Sequence, residues 1–119
     1  MICGIGLDIV KAARMESLSP AAVSRIFTAG ELAHADSRNP ERRAETLAGI
    51  YAAKEAFSKA ACVPLLRAVR ETELTYDDNG APRLSFSEAL AESLGELRFF
   101  VSITHDGGVA AAVVVAERP

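Results

Sequence analysis

Residues 109–117 read VAAAVVVAE, and no other stretch narrows the fold as much. Apolar residues at consecutive positions, rather than alternate ones, predict a strand buried on both faces. LRFFVSIT precedes it across HDGG, so the two runs form a hairpin. The longest predicted helix covers residues 44–61, where Leu47, Ile50, Phe57 and Ala61 recur at helical spacing and define a buried face.

The other segments have recognisable boundaries. MICGIGLD, residues 1–8, reads as a short buried strand ending in a carboxylate, with a helix over 9–17. Ser19-Pro20 supplies a cap and a first-turn proline for the next helix. Thr28 and Glu31 have capping-box spacing, and residues 37–43 form a polar connection. Pro64 stops the long helix. TELTY (72–76) and PRLSF (82–86) flank Asn79-Gly80, a second hairpin signal. Ser85 or Ser87 caps a helix over 88–94, which Gly95 ends. Helices set among antiparallel strands make this an α+β chain.

At 119 residues the chain makes one domain, and oligomerisation would help its thin core. A formal charge of −3 gives nucleic-acid binding no global support. Local basic patches remain open, because Arg14, Arg25, Arg38, Arg42, Arg43 and Lys54 all lie in the first half. No apolar run spans a membrane, and Asp8 interrupts the N-terminal one, so a cytoplasmic protein is expected. Cys3 and Cys62 read as small buried hydrophobes rather than metal ligands. His34 reads as a surface residue, and the glycines of GIG (4–6) are too few for a dinucleotide fingerprint.

Three groups of residues carry candidate chemistry. Lys54 falls inside the apolar sector of the long helix, with Glu55 and Lys59 one turn apart on its margin. A helical Glu–Lys pair worth about 0.2–0.5 kcal/mol explains the latter two. Lys54 fits that reading poorly, because lysine is seldom buried without a partner. The alternative is that this face borders a site for an anion. Asp8 reads either as a helix cap or, with Glu55, as a magnesium ligand, since magnesium takes one or two carboxylates plus water and phosphate oxygens. Ser102, Thr104 and His105 beside HDGG are either solvated or able to hold a phosphate.

GIGLDIV (4–10), RIFTAGEL (25–32), LAGIYAAKEAFSKA (47–60), NGAP (79–82) and VSITHDGGVAAAVVV (101–115) follow one another in that order. Together they resemble the holo-[acyl-carrier-protein] synthases, the small class of 4′-phosphopantetheinyl transferases, over almost the whole chain. The resemblance implies a single domain over 1–119, with antiparallel strands and hairpins packed around one long helix. It implies transfer of the phosphopantetheine arm of coenzyme A to a serine of apo acyl carrier protein, releasing adenosine 3′,5′-bisphosphate. Asp8 and Glu55 would hold magnesium, with manganese left open as an alternative. Lys59 would meet the phosphate under attack or the leaving group, and Lys54 would also face phosphate. Arg42 and His105 would hold the 3′-phosphate, with Ser102 and Thr104 beside them, and Gly80 and Pro82 would line the adenosine end. Arg14 and Arg25 match positions that dock the acidic carrier. The general base is Glu55 or a water relayed through a carboxylate. The family forms trimers with active sites between subunits.

The chain departs from the family at two places. Ile50 stands where an arginine is usual, and Cys62-Val63-Pro64 replaces a Gly-Thr-Gly turn. Glycine amides approach phosphate closely and Pro64 donates none, so weaker or altered coenzyme A binding is expected. Rival readings are metal-dependent phosphate-ester hydrolysis, an oligomeric coenzyme A or nucleotide-binding module, and a plain assembly domain.

Overall fold

The computed structural model describes residues 1–37 and 39–119, so Arg38 lies outside the described residues. Strand β1 spans Ile2–Lys11, followed by helices α1 (Ala12–Glu16), α2 (Pro20–Ile26) and α3 (Ala29–Ser37). A 3-10 turn at Pro40–Arg42 leads into the long α4 (Arg43–Ala61) and then α5 (Leu65–Glu71). Strands β2 (Thr72–Tyr76) and β3 (Pro82–Phe86), helix α6 (Glu88–Leu94), and strands β4 (Arg98–Asp106) and β5 (Val109–Glu117) complete the chain. The main sheet is antiparallel in the order β1-β5-β4, and β2 pairs with β3 in a separate ladder. The α+β expectation holds, with α4 against one face of the main sheet.

Local chemistry accounts for the boundaries. Ser19 accepts from the Ala22 amide at the start of α2. Thr28 and Glu31 cap α3 reciprocally: the Thr28 amide donates to Glu31 Oε1 at 2.8 Å, and the Glu31 amide donates to Thr28 Oγ1 at 3.1 Å. Ser87, not Ser85, caps α6. The β4–β5 turn is the pair Gly107-Gly108, both at positive φ, as a two-residue hairpin loop requires.

Four expectations need correction. β1 continues to Lys11, because its ladder with β5 runs on through Lys11↔Val109, so the helix begins at Ala12 and Asp8 is mid-strand rather than a cap. The long helix ends at Ala61, before Pro64, as expected, but Pro64 also opens a further helix that was not expected. It precedes α5, and its carbonyl accepts from the Ala68 amide at 2.9 Å. Cys3 and Cys62 are exposed free thiols rather than buried ones. Finally, β5 is covered on one face only. Ala110, Ala112, Val114 and Ala116 pack under α4, while β1 offers Ile5, Leu7 and Ile9 to the open side at 67%, 65% and 68% exposure.

The alanine richness of α4 follows from how closely it lies on the sheet. Ala52, Ala53 and Ala56 are fully buried, and Leu47, Ile50 and Phe57 fill the wider spaces. Full burial of such large side chains stabilises by about 1.5–3 kcal/mol each. Phe57 also joins Phe86 and Phe99, at 5.0 Å from each, tying α4 to β3 and β4. The glycines of GIG now have a role. A Cβ on Gly4 would collide with the Ala60 carbonyl, and one on Gly6 with the Ala56 carbonyl. Only glycine lets the two backbones approach this far. Gly6→Ala is expected to lower stability by about 3 kcal/mol and to move Asp8 away from α4. Chemical denaturation measures the first effect, and an unchanged midpoint would rule out the close approach.

Candidate functional site

α4 crosses the sheet from edge to edge. Near its N-terminus Gly49 lies on Ile103 of β4, and near its C-terminus Ala56 and Ala60 press on β1. Each end carries a group of polar residues.

At the β1 end, Asp8 faces the sheet side occupied by α4, paired in register with Ala112. Lys59 Nζ donates to Asp8 Oδ1 at 3.1 Å and to the Leu7 carbonyl at 2.9 Å. Asp8 Oδ2 is the buried side-chain oxygen that no donor reaches among the described residues. Glu55 faces Asp8. Burial first, and then the Asp8 charge, push the Glu55 carboxyl above its ordinary value. Tyr51, one turn before Glu55, carries the guanidinium of Arg14 over its ring at 5.8 Å. Burial and the Glu55 charge raise the Tyr51 phenol, against a smaller opposing effect of Arg14. Tyr51 was missed in the sequence, although its i, i+4 spacing to Glu55 was legible.

This donor set fits a hard divalent cation. Two carboxylates converge, one with a free buried oxygen, and no group of three or more metal-ligating side chains occurs among the described residues. Magnesium is held in just this way, by few carboxylates with the remaining positions left to water and phosphate oxygens.

At the β4 end, a cleft of about 400 Å³ is lined by Arg42, Gly80, Pro82 and His105, together with His34, Asn39, Glu45 and Tyr76. The four expected residues therefore converge, although they come from the 3-10 turn, the β2–β3 hairpin and β4. Asp77 shapes the Gly80 loop: its Oδ1 accepts from the Asn79 and Ala81 amides, each at 2.9 Å. His34 is not a mere surface residue. It stacks on Tyr76 at 3.8 Å between ring centroids, and both rings line the cleft. His105 Nδ1 meets Glu45 Oε2 at 3.2 Å. Neither Glu45 nor Tyr76 carried a signal on its own in the sequence.

Two expected placements fail. Lys54 is not at a phosphate site but fully buried, its Nζ paired with Glu31 Oε1 at 2.8 Å and donating to the Ile26 carbonyl. Ser102 and Thr104 do not cluster with His105, because strand alternation puts them on the open face with Phe100. Arg25 is exposed on α2. Of the two departures, Ile50 is fully buried and adds no charge to the cleft. Cys62 adopts the left-handed conformation, φ 56°, that glycine would provide, so the end of α4 keeps its turn.

Residues 4–114 match the family described as the 4′-phosphopantetheinyl transferase superfamily. The chain belongs to that family. A holo-[acyl-carrier-protein] synthase of Salinispora arenicola is 38% identical over 124 residues, covering 99% of this chain and 100% of the relative. One from Bacillus subtilis is 39% identical over 123 residues, covering 99% and 98%. Among solved structures, the ACPS–CoA complex of Chronobacterium ammoniagenes superposes with a TM-score of 0.85 at 29% identity, covering 100% of this chain and 98% of that one. The Bacillus anthracis holo-(acyl-carrier-protein) synthase in complex with CoA (3′,5′-ADP) gives 0.82 at 35% identity, covering 100% and 99%.

Proposed function

We propose that the chain transfers the 4′-phosphopantetheine group of coenzyme A to a serine of an apo acyl carrier protein. The observation that carries this reading is the convergence of Asp8, Glu55 and Lys59 where α4 meets β1. Asp8 and Glu55 would hold magnesium, which would neutralise charge on the pyrophosphate of bound coenzyme A. Lys59, 55% exposed at its side chain, reaches a phosphate oxygen from beside Asp8 and stabilises charge without transferring a proton. The serine oxygen bonds to the phosphorus bearing the pantetheine arm, the pyrophosphate P–O bond breaks, and adenosine 3′,5′-bisphosphate leaves. Glu55, or a water relayed through a carboxylate there, takes the serine proton. Arg14, over Tyr51 and next to Glu55, and Arg25 on α2 draw in the acidic carrier.

Coenzyme A binds with its 3′-phosphate on Arg42 and His105 and its adenosine end along Gly80 and Pro82. Glu45 and Glu55 are ten positions apart on α4, about 15 Å along the axis. The 3′-phosphate and the pyrophosphate hang from one ribose, too close together to bridge that span. One chain therefore supplies Arg42 and His105 and another supplies Asp8, Glu55 and Lys59. The open sheet face, with Ile5, Leu7, Ile9 and Phe100 exposed, is where copies meet in a homotrimer. The work is done in the cytoplasm, in support of fatty acid biosynthesis. No described helix is long and apolar enough to cross a membrane.

Intact mass of an apo carrier, incubated with the protein, coenzyme A and magnesium, tests this reading. A gain of one phosphopantetheine group is expected. Asp8→Asn and His105→Ala should each lose the activity alone and recover part of it when co-assembled, since mixed trimers contain one intact composite site. No recovery would place both groups in one chain's site, and no gain with wild type would remove the transferase reading.

A further inference from the structure

Among the cleft residues, one contact gives a role to a residue that no expectation had singled out. Glu45 Oε2 sits 3.2 Å from His105 Nδ1, with the Glu45 and His105 side chains 31% and 44% exposed. Both side chains line the cleft, and they come from different elements, α4 and β4. A carboxylate accepts and does not donate, so this 3.2 Å approach favours the hydrogen on Nδ1. Fixing Nδ1–H fixes the ring orientation and leaves Nε2 as the nitrogen that can turn to a ligand. Arg42 lines the same cleft from the turn before α4, so a phosphate there has a permanent cation on one side and the held imidazole on the other.

We propose that Glu45 is a positioning residue for coenzyme A: it holds His105 by Nδ1 so that Nε2 addresses the 3′-phosphate. This deepens the reading above and rests on it. The opposite effect is also physically available, since a carboxylate near a phosphate repels it. The 3.2 Å approach of the Glu45 carboxylate to Nδ1 favours positioning, and the titration below separates the two effects.

The test compares Glu45→Ala, Glu45→Gln and His105→Ala, with 3′,5′-ADP and dephospho-coenzyme A as probes. Isothermal titration of the intact oligomer with 3′,5′-ADP should weaken about tenfold in Glu45→Ala, from the loss of one oriented contact. Glu45→Gln keeps an acceptor for Nδ1–H and should recover most of the affinity. In turnover, the Glu45→Ala loss falls on KM for coenzyme A rather than on kcat, and KM for dephospho-coenzyme A does not move. Glu45→Ala added to His105→Ala should cost nothing further. Thermal melting identifies any variant that fails to fold, and Glu45→Gln then carries the comparison through nitrogen NMR of the His105 tautomer. Tighter 3′,5′-ADP binding in Glu45→Ala, or an equal loss for both coenzyme forms, overturns the proposal. If wild type itself binds the two coenzyme forms equally, the placement of the 3′-phosphate on His105 fails, and the role of Glu45 fails with it.

Discussion

Lys54→Met is expected to destabilise the protein by about 3–5 kcal/mol, the usual cost of breaking a buried ion pair by removing one partner. Both side chains of the Lys54–Glu31 pair are completely buried. Lys54 Nζ also donates to the carbonyls of Ile26, at 2.8 Å, and Val69, at 3.3 Å. Glu31 in turn accepts from the Thr28 amide at 2.8 Å and from the Leu74 amide at 2.7 Å. The pair thus ties α2, α3, α5 and β2 to α4. Methionine fills most of the volume but leaves a buried carboxylate without its counter-charge and takes the Lys54 donor from two carbonyls. Adding Glu31→Gln removes the orphaned charge, so the double variant should be more stable than Lys54→Met alone. Urea denaturation of wild type and the two variants measures this directly. A Lys54→Met protein as stable as wild type, yet with weakened coenzyme A binding, would return Lys54 to the ligand site.

Lys54 also marks the boundary of what the sequence can reveal. A lysine in an apolar sector demands a partner, and that demand was legible. The partner was not, because Glu31 lies 23 positions away and was already accounted for as the capping-box acid of α3. Its Oε1 performs both tasks, meeting the Thr28 amide and Lys54, while Oε2 takes the Leu74 amide. Local signals of the same kind located the caps at Ser19, Thr28 and Ser87, the Gly95 stop and both strands of the β2–β3 hairpin, since each depends on neighbours a few residues apart. β1 was cut short because Asp8 looks like the end of an apolar run. The strand nevertheless runs on through Asp8, whose carboxylate meets Lys59. The grouping of Asp8 with Glu55 and Lys59 came from resemblance, and the physical cause, glycines at 4 and 6 that admit α4, emerges only when the helix is seen against the strand. Glu45, Tyr51 and Tyr76 were invisible as site residues because each reads as an ordinary member of its helix or strand. Strand alternation, by contrast, could have separated Ser102 and Thr104 from His105 at the outset.

Glu55→Gln should abolish transfer and, without divalent metal, make the protein more stable at neutral pH. The two effects share one cause. Burial and the facing Asp8 raise the Glu55 carboxyl above its ordinary value, so folding favours the protonated form. For an acid raised in this way, the stabilisation is complete below the unfolded-state pKa, near 4.3 for a glutamate, and is lost as pH rises through the folded-state value. Once the pH has passed the folded-state value, the wild-type apo-protein has lost that contribution and holds two carboxylates against each other, relieved in part by Lys59 on Asp8 at 3.1 Å. Glutamine keeps the shape without the charge. Melting curves in chelator should therefore place Glu55→Gln above wild type at neutral pH, with the gap closing on acidification below the carboxylate range. Magnesium should then reverse the order, because a ligand that binds only the folded state stabilises it by mass action, and only wild type retains both carboxylates to hold it. A variant that melts below wild type in chelator at neutral pH would mean that Glu55 is satisfied by its neighbours in the free protein. The pair would then be a structural contact rather than a site kept under strain for a cation.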